Sequence, residues 1–186
     1  IAAAFSDVVD AKSPFTADHS NRVTLYTDMI AEELGLDQDH RRWLRRAALL
    51  HDLGKLGVSN QVLDKPGKLD EAEWRSIRRH PVHSAEILNR AHAFRDIAAV
   101  AAAHHERLDG KGYPHGLGGA EICLEVRILT VADVFDALTA ERPYRAAMPI
   151  TKALSILDAD AHTAFDPACI AALKSGLARL NAELVA

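Results

Sequence analysis

His104 and His105 stand side by side at the end of an Ala-rich run, and Glu106 follows them. The chain then enters a Gly-rich loop holding Asp109, Gly110, Gly112, Tyr113 and Pro114. Neutral imidazole offers a nitrogen lone pair near neutral pH, and a neighbouring loop can present a substrate to whatever the imidazoles hold. An adjacent His pair is weak evidence by itself. Its weight comes from His51 and Asp52 in LLHDLGK, from His19, from His80 before Pro81, and from Asp133 within an apolar run. Together these residues offer five imidazoles, two carboxylates and no thiolate. Such a nitrogen and oxygen set suits Fe, Mn, Zn or Ni better than Mg or Ca. Seven ligands exceed the needs of one tetrahedral ion and point to two divalent ions bridged by a carboxylate. Paired metals about 3.5–4 Å apart are a recurrent device for hydrolysing phosphate esters.

Helices must position these groups, because helical periodicity dominates the chain. From about Ala17 to Leu34, Val23, Tyr26, Ile30 and Leu34 share one stripe with His19, and Gly35 ends it. A core histidine hydrogen-bonded to backbone would explain His19 equally well. A second helix, Asp37 to Leu53, carries Leu44, Ala47, Ala48 and His51 inward and stops at Gly54. Arg41, Arg42, Arg45 and Arg46 lie on its other face and read as solvated surface. Lys55, one turn beyond His51, could reach a phosphate or could be a surface lysine near a helix C-terminus.

Residues 57–69 read as a connector with a short helical turn and a bend at Pro66 and Gly67. Asp70 caps a helix to Arg79, and His80 takes the N-cap of the next, before Pro81. One helix is expected from Phe94 to His104. Another, Glu125 to Ala140, is apolar nearly all round and therefore central. Its Asp133 needs a metal or a cation partner, with Arg127 and Arg142 at hand. Two further helices, Ile150–Ala159 and Pro167–Ala182, close the chain. His40, His83, His92, His115 and His162 read as non-ligands, and Cys123 and Cys169 as core thiols.

With 186 residues, 48% of them hydrophobic, the chain suffices for one domain spanning 1–186. A net charge of -4 gives no general attraction to nucleic-acid polymers. No apolar run approaches the roughly 18 residues of a membrane span. Two unspaced cysteines fit a reducing, cytoplasmic setting. A start at Ile1 reads as part of a longer protein, with a sensor or receiver domain expected upstream.

LLHDLGK, HHERLDGKGYP and VADVFDALTAERPYR together resemble the HD-GYP domains, a branch of the HD metal-dependent phosphohydrolase superfamily. The resemblance runs from AKSPFTADHSNRV to AFDP and implies an all-α helical bundle: a five-helix HD core plus additional C-terminal helices. It implies hydrolysis of cyclic di-GMP in bacteria by a hydroxide bridging two metals, Fe or Mn with Zn and Ni as alternatives. On the family pattern His19, His51, Asp52 and Asp133 hold one metal and His80, His104 and His105 the other, with Asp52 bridging. Lys55 contacts the scissile phosphate, Tyr113 lines the cleft, and Arg142 and Arg145 grip the nucleotide. Arg suits phosphate or guanine edges by its planar fork, although Arg142 could instead pair with Asp136.

Phe15 stands where some members carry a Glu for a third metal, so two metals and the linear dinucleotide pGpG are expected, more than GMP. Ser84 replaces the usual Gly and Cys123 the usual Pro. Alternatives are the same machinery acting on another cyclic dinucleotide or nucleotide, or a non-catalytic nucleotide-binding or protein-interaction module. A homodimer is compatible with either.

Overall fold

Apolar side chains recurring at three- and four-residue spacing produce helices whose inner stripes meet in one core. In a computed structural model, which describes residues 2–12, 18–141 and 146–185, ten α-helices form and no strand does. They are α1 (Ala2–Asp10), α2 (His19–Glu33), α3 (Gln38–Leu50), α4 (Asn60–Leu63), α5 (Glu71–Ile77), α6 (His80–Arg90), α7 (Ala98–Ala103), α8 (Leu124–Thr139), α9 (Ile150–Ala159) and α10 (Pro167–Val185).

Five of them make the central bundle: α7 packs against α3, α6 and α8, while α2 packs against α3 and α8. The remaining long helices close around it, with α9 and α10 on α8 and α10 also on α2. The all-α expectation therefore holds. Helix α8 runs through the middle, with Val126, Ile128, Leu129, Val131, Ala132 and Phe135 all buried. Burying one such aliphatic or aromatic side chain stabilises the fold by about 1.5–3 kcal/mol. Val23, Ile30, Leu44, Leu157 and Leu173 pack into the same core with no exposed surface. The small side chains of α7 are buried at Ala98, Ala101, Ala102 and Ala103, which lets α3, α6 and α8 approach closely.

Several local expectations change. Helix α3 ends at Leu50, and a 3-10 turn, Leu53–Gly57, follows, so Asp52 leaves the helix and enters a turn. The expected single helix before His104 is a 3-10 segment, His92–Ile97, leading into α7. His80 is the first residue of α6 and Arg79 its N-cap, because Pro81 also fits the second position of a first turn, where no intrahelical N–H is required. Asp70 does cap α5, in a reciprocal pair with Glu73. Helix α1, which no long apolar stripe marks in the sequence, reaches the core through Val9 and through buried Asp10, whose carboxylate accepts from the Ser20 hydroxyl at 2.9 Å. Cys123 is exposed at the N-cap of α8 and is no core thiol; Cys169 is buried. The arginines of α3 are also more engaged than a solvated face, with Arg41 and Arg45 bonded to Asp28 and Arg46 to Asp96.

Candidate metal centre

Three histidines reach the middle of the bundle by the same local device. The ring Nδ1–H of His51 donates to the Ala48 carbonyl at 2.6 Å, that of His80 to Ile77 at 2.7 Å, and that of His104 to Ala101 at 2.6 Å. Each partner lies three residues earlier, one helical turn back. A proton committed to Nδ1 leaves Nε2 as the nitrogen that can take a proton or a cation, and all three Nε2 atoms face the same space, those of His80 and His104 lying 3.2 Å apart. His19 is fixed differently, by Nδ1 donating to Asp136 at 2.7 Å.

The two carboxylates meet these rings. Asp52 Oδ2 lies 3.3 Å from His19 Nε2 and 3.4 Å from His51 Nε2. Its other oxygen, Oδ1, lies 3.1 Å from His80 Nε2 and 3.9 Å from His104 Nε2. Asp133 Oδ1 is 3.4 Å from His19 and 3.8 Å from His51, and its Oδ2 is 4.0 Å from His105 Nδ1. His19, His51 and Asp133 thus make one cluster with donor atoms within 4.8 Å of one another. His80, His104 and His105 make a second, and Asp52 stands between the two.

Two close approaches bring these segments together. A Cβ at Gly54 would come within 2.0 Å of the His80 carbonyl, so only glycine lets the turn after Asp52 lie against the start of α6. Ser84 stitches the same junction: its hydroxyl accepts the Gly54 N–H at 2.8 Å and donates to the His51 carbonyl at 2.7 Å. The Thr130 hydroxyl, 2.9 Å from the His104 carbonyl, ties α8 to the end of α7.

The electrostatics favour positive charge at the centre. Burial alone would raise the Asp52 carboxyl, yet Lys55, His51, His19 and His80 hold it well below the usual carboxylate range. Asp133 is likewise held low against burial, by His51, His19 and His105. Burial opposes protonation of His51, but Asp52 and Asp133 outweigh it and lift the imidazole to about 9. Burial and the neighbouring rings push His104 down, and burial takes His105 to about 3.

A divalent cation pair fits these residues. His19 Nε2, His51 Nε2 and Asp52 Oδ1 are buried and make no hydrogen bond, whereas buried polar atoms are nearly always satisfied. Cations would satisfy all three, and an imidazole-carboxylate donor set is one that first-row transition metals accept. Among the described residues, other candidate partners of these side chains are engaged elsewhere. Asp136, not a backbone carbonyl, holds His19. Arg127 pairs with Asp166 at 3.0 Å. Asp136 pairs with Arg22 through a 2.6 Å bond to Nε. Arg142 and Arg145 lie outside the described residues.

The centre opens on one side. His51 and His104 side chains are fully buried, whereas those of His105, Lys55 and Asp133 retain 23%, 19% and 11% of their surface. Lys55 is bonded to Asp52 at this opening. Tyr113 stacks on His105 with ring centroids 4.7 Å apart. Its loop is held by Glu106, a buried carboxylate that accepts the backbone N–H groups of His115 and Leu117 at 2.7 and 2.9 Å. A Cβ on Gly112 would lie 2.5 Å from the Arg107 nitrogen and from the Glu106 Cα, so the loop before Tyr113 is pressed onto the backbone behind His105. Asp136, Ser84 and the loop-anchoring part of Glu106 were not legible as site supports, since each works through a partner distant in sequence.

A helical bundle with histidines and aspartates converging from α2, the turn after α3, α6, the end of α7 and α8 defines an HD-type metallohydrolase fold. The chain belongs to the HD domain family, which matches residues 3–169, and the HD-GYP motifs place it in that branch. It is 60% identical over 183 residues to 3'3'-cGAMP-specific phosphodiesterase 3 of Vibrio cholerae, an alignment covering 98% of this chain and 40% of the relative. It is 44% identical over 168 residues to the cyclic di-GMP phosphodiesterase response regulator RpfG of Xanthomonas campestris, covering 89% of this chain and 44% of that one. In fold it resembles Bd1817, a HDG"Y"P protein from Bdellovibrio bacteriovorus, with a TM-score of 0.73 at 20% identity over 89% of this chain and 53% of that chain. The chain therefore spans less than half the length of the two curated relatives. No helix among the described residues is long and apolar enough to cross a membrane.

Proposed function

We propose that this chain is the catalytic unit of a longer bacterial signalling protein, a metal-dependent phosphodiesterase that opens a cyclic dinucleotide to the linear 5'-phosphorylated form. One observation carries the reading. Asp52 turns one oxygen toward His19 and His51 and the other toward His80 and His104, the arrangement a bridging carboxylate requires. His19, His51 and Asp133 would hold one cation, His80, His104 and His105 the other. Fe(II) or Mn(II) suits this donor set, with Zn and Ni chemically admissible. When bound, such cations supply Lewis acidity to the phosphoryl group and acidify the attacking water.

The chain's own residues do the rest. Asp52, held ionised, would hold cations without first having to lose a proton. Lys55 sits at the opening, where its ammonium can meet a phosphate oxygen and offset the charge that builds there. Tyr113, fixed on His105, walls the cleft and keeps the ring from sliding past the centre. The oxygen of water bonds to phosphorus and stays on the 5'-phosphate as the P–O3' bond breaks, and one proton of that water ends on the 3' oxygen, which leaves as a hydroxyl. Arg142 and Arg145 complete the grip in this reading.

Between the two substrates in the relatives' names, the 60% identity to a 3'3'-cGAMP-specific enzyme favours 3'3'-cGAMP, with cyclic di-GMP as the second reading. Both share the diester chemistry. Protein loaded anaerobically with Fe(II) or Mn(II) should linearise at least one of them, and the ratio of kcat/KM ranks the pair. His51→Ala and Asp52→Ala should each lower turnover at least 100-fold while the helical circular-dichroism signal persists. Full activity in Asp52→Ala, or a metal content near zero under every loading, would overturn the reading.

A further inference from the structure

The opening of the metal centre leads into a column of flat groups whose outer members, Arg78 and Trp74, the proposed chemistry does not use. His105 stacks with Tyr113 at 4.7 Å; the Arg78 guanidinium lies over the Tyr113 ring at 5.4 Å from its centroid and over the Trp74 ring at 5.6 Å. Trp74 is 47% exposed and lines a surface groove with Gly67, Lys68 and Leu69. Two properties of this column leave it open to a ligand. The Arg78 guanidinium makes no hydrogen bond or ion pair with any described residue, although most other described arginines are bonded to carboxylates. Trp74, midway along the two-turn helix α5, leaves about half of its large ring in water, where a flat ligand could cover it.

We infer that Arg78 and Trp74 form a recognition arm for the half of the cyclic dinucleotide that is not being cleaved. This rests on the phosphodiesterase reading above. A cyclic dinucleotide has two phosphates and two bases, and only one phosphate can occupy the metal centre at a time. The other half must then lie outward, beyond Tyr113. There the guanidinium has aromatic rings near its faces and an N–H edge without partners, which suits a phosphate oxygen or the O6 and N7 of guanine. Trp74 offers a base a stacking surface, a contact worth about 1–3 kcal/mol in nucleic-acid binding. Arg78 thereby serves specificity, since a guanine edge accepts two bonds from its fork and an adenine edge, with an amino donor at N6, does not.

Kinetics on two substrates tests this. Arg78→Ala and Trp74→Ala should each raise KM for a cyclic dinucleotide about tenfold with kcat within twofold. Hydrolysis of bis(p-nitrophenyl) phosphate, a small diester without nucleobases, should stay unchanged, and Trp74→Phe should restore most of the affinity. Equal losses on both substrates would make Arg78 and Trp74 mere supports of Tyr113, and unchanged KM would remove the arm; either result overturns the inference and leaves the phosphodiesterase reading standing. Equilibrium binding of 3'3'-cGAMP and cyclic di-GMP to the protein, measured by calorimetry, provides the independent arm. If wild type turns over neither diester but binds a cyclic dinucleotide at least tenfold tighter than Arg78→Ala, the recognition arm holds and the catalytic reading fails. If wild type binds neither nucleotide, the recognition arm is overturned.

Discussion

Asp136 Oδ2 lies 2.7 Å from His19 Nδ1, and the opposite oxygen of the same carboxylate is bonded to Arg22 at 2.6 Å. Asp136 therefore stands behind the centre, one step removed from any cation. It selects the His19 tautomer and turns Nε2 toward Asp52 and Asp133. Burial would raise its carboxyl, but His19 and Arg22 hold it low, so it stays an acceptor. Partners of this kind typically account for 10- to 100-fold in metal affinity. Asp136→Asn should weaken Mn(II) binding by that factor in a calorimetric titration, while unchanged affinity would show that His19 needs no such support.

Ser84 makes a different kind of support. Its hydroxyl satisfies the Gly54 N–H and the His51 carbonyl in a buried junction where a Gly would make neither bond. Ser84→Ala leaves the Gly54 donor without a partner, which costs about 1–3 kcal/mol. The expected result is a Tm lower by several degrees in thermal unfolding. An unaltered Tm would mean that water replaces the hydroxyl.

Glu106 carries the loop. Two buried carboxylate oxygens accept two backbone N–H groups on the far side of Tyr113. Glu106→Gln keeps the shape but turns one oxygen into an N–H donor, which then faces the N–H of His115 or Leu117. Hydrogen exchange at those two amides should accelerate at least tenfold while the amides of α8 keep their protection. Unchanged exchange would place the loop's anchor elsewhere.

Cations at the centre should stabilise the folded chain, because the unfolded chain cannot assemble the clusters. At a free metal concentration a hundred times Kd the gain is about 2.7 kcal/mol for one site. A chelator should therefore lower Tm of the Mn(II)-loaded protein and leave that of the metal-free protein alone. Elemental analysis should count two ions per chain in wild type and fewer in His105→Ala. A single ion in wild type would separate the clusters into one true site and one ordinary histidine group.

The sequence by itself determined the helices and the cast of the centre. Periodic apolar residues in α2, α3 and α8 set which face turns inward, and His19, His51 and Asp133 fall on those faces because three- and four-residue spacing repeats the direction of a side chain. Sequence motifs likewise placed the chain in the HD-GYP branch. Tertiary structure alone decided how the segments meet. That Asp52 shares its two oxygens between clusters depends on a turn after α3 lying against α6, which a missing Cβ at Gly54 and a hydroxyl at Ser84 allow. The partnerships of Asp136 with His19, of Glu106 with its loop and of Arg78 with Tyr113 depend on which segments meet in space. Side chains from separate segments meet only after the core has packed, and no local period records which carboxylate will face which ring.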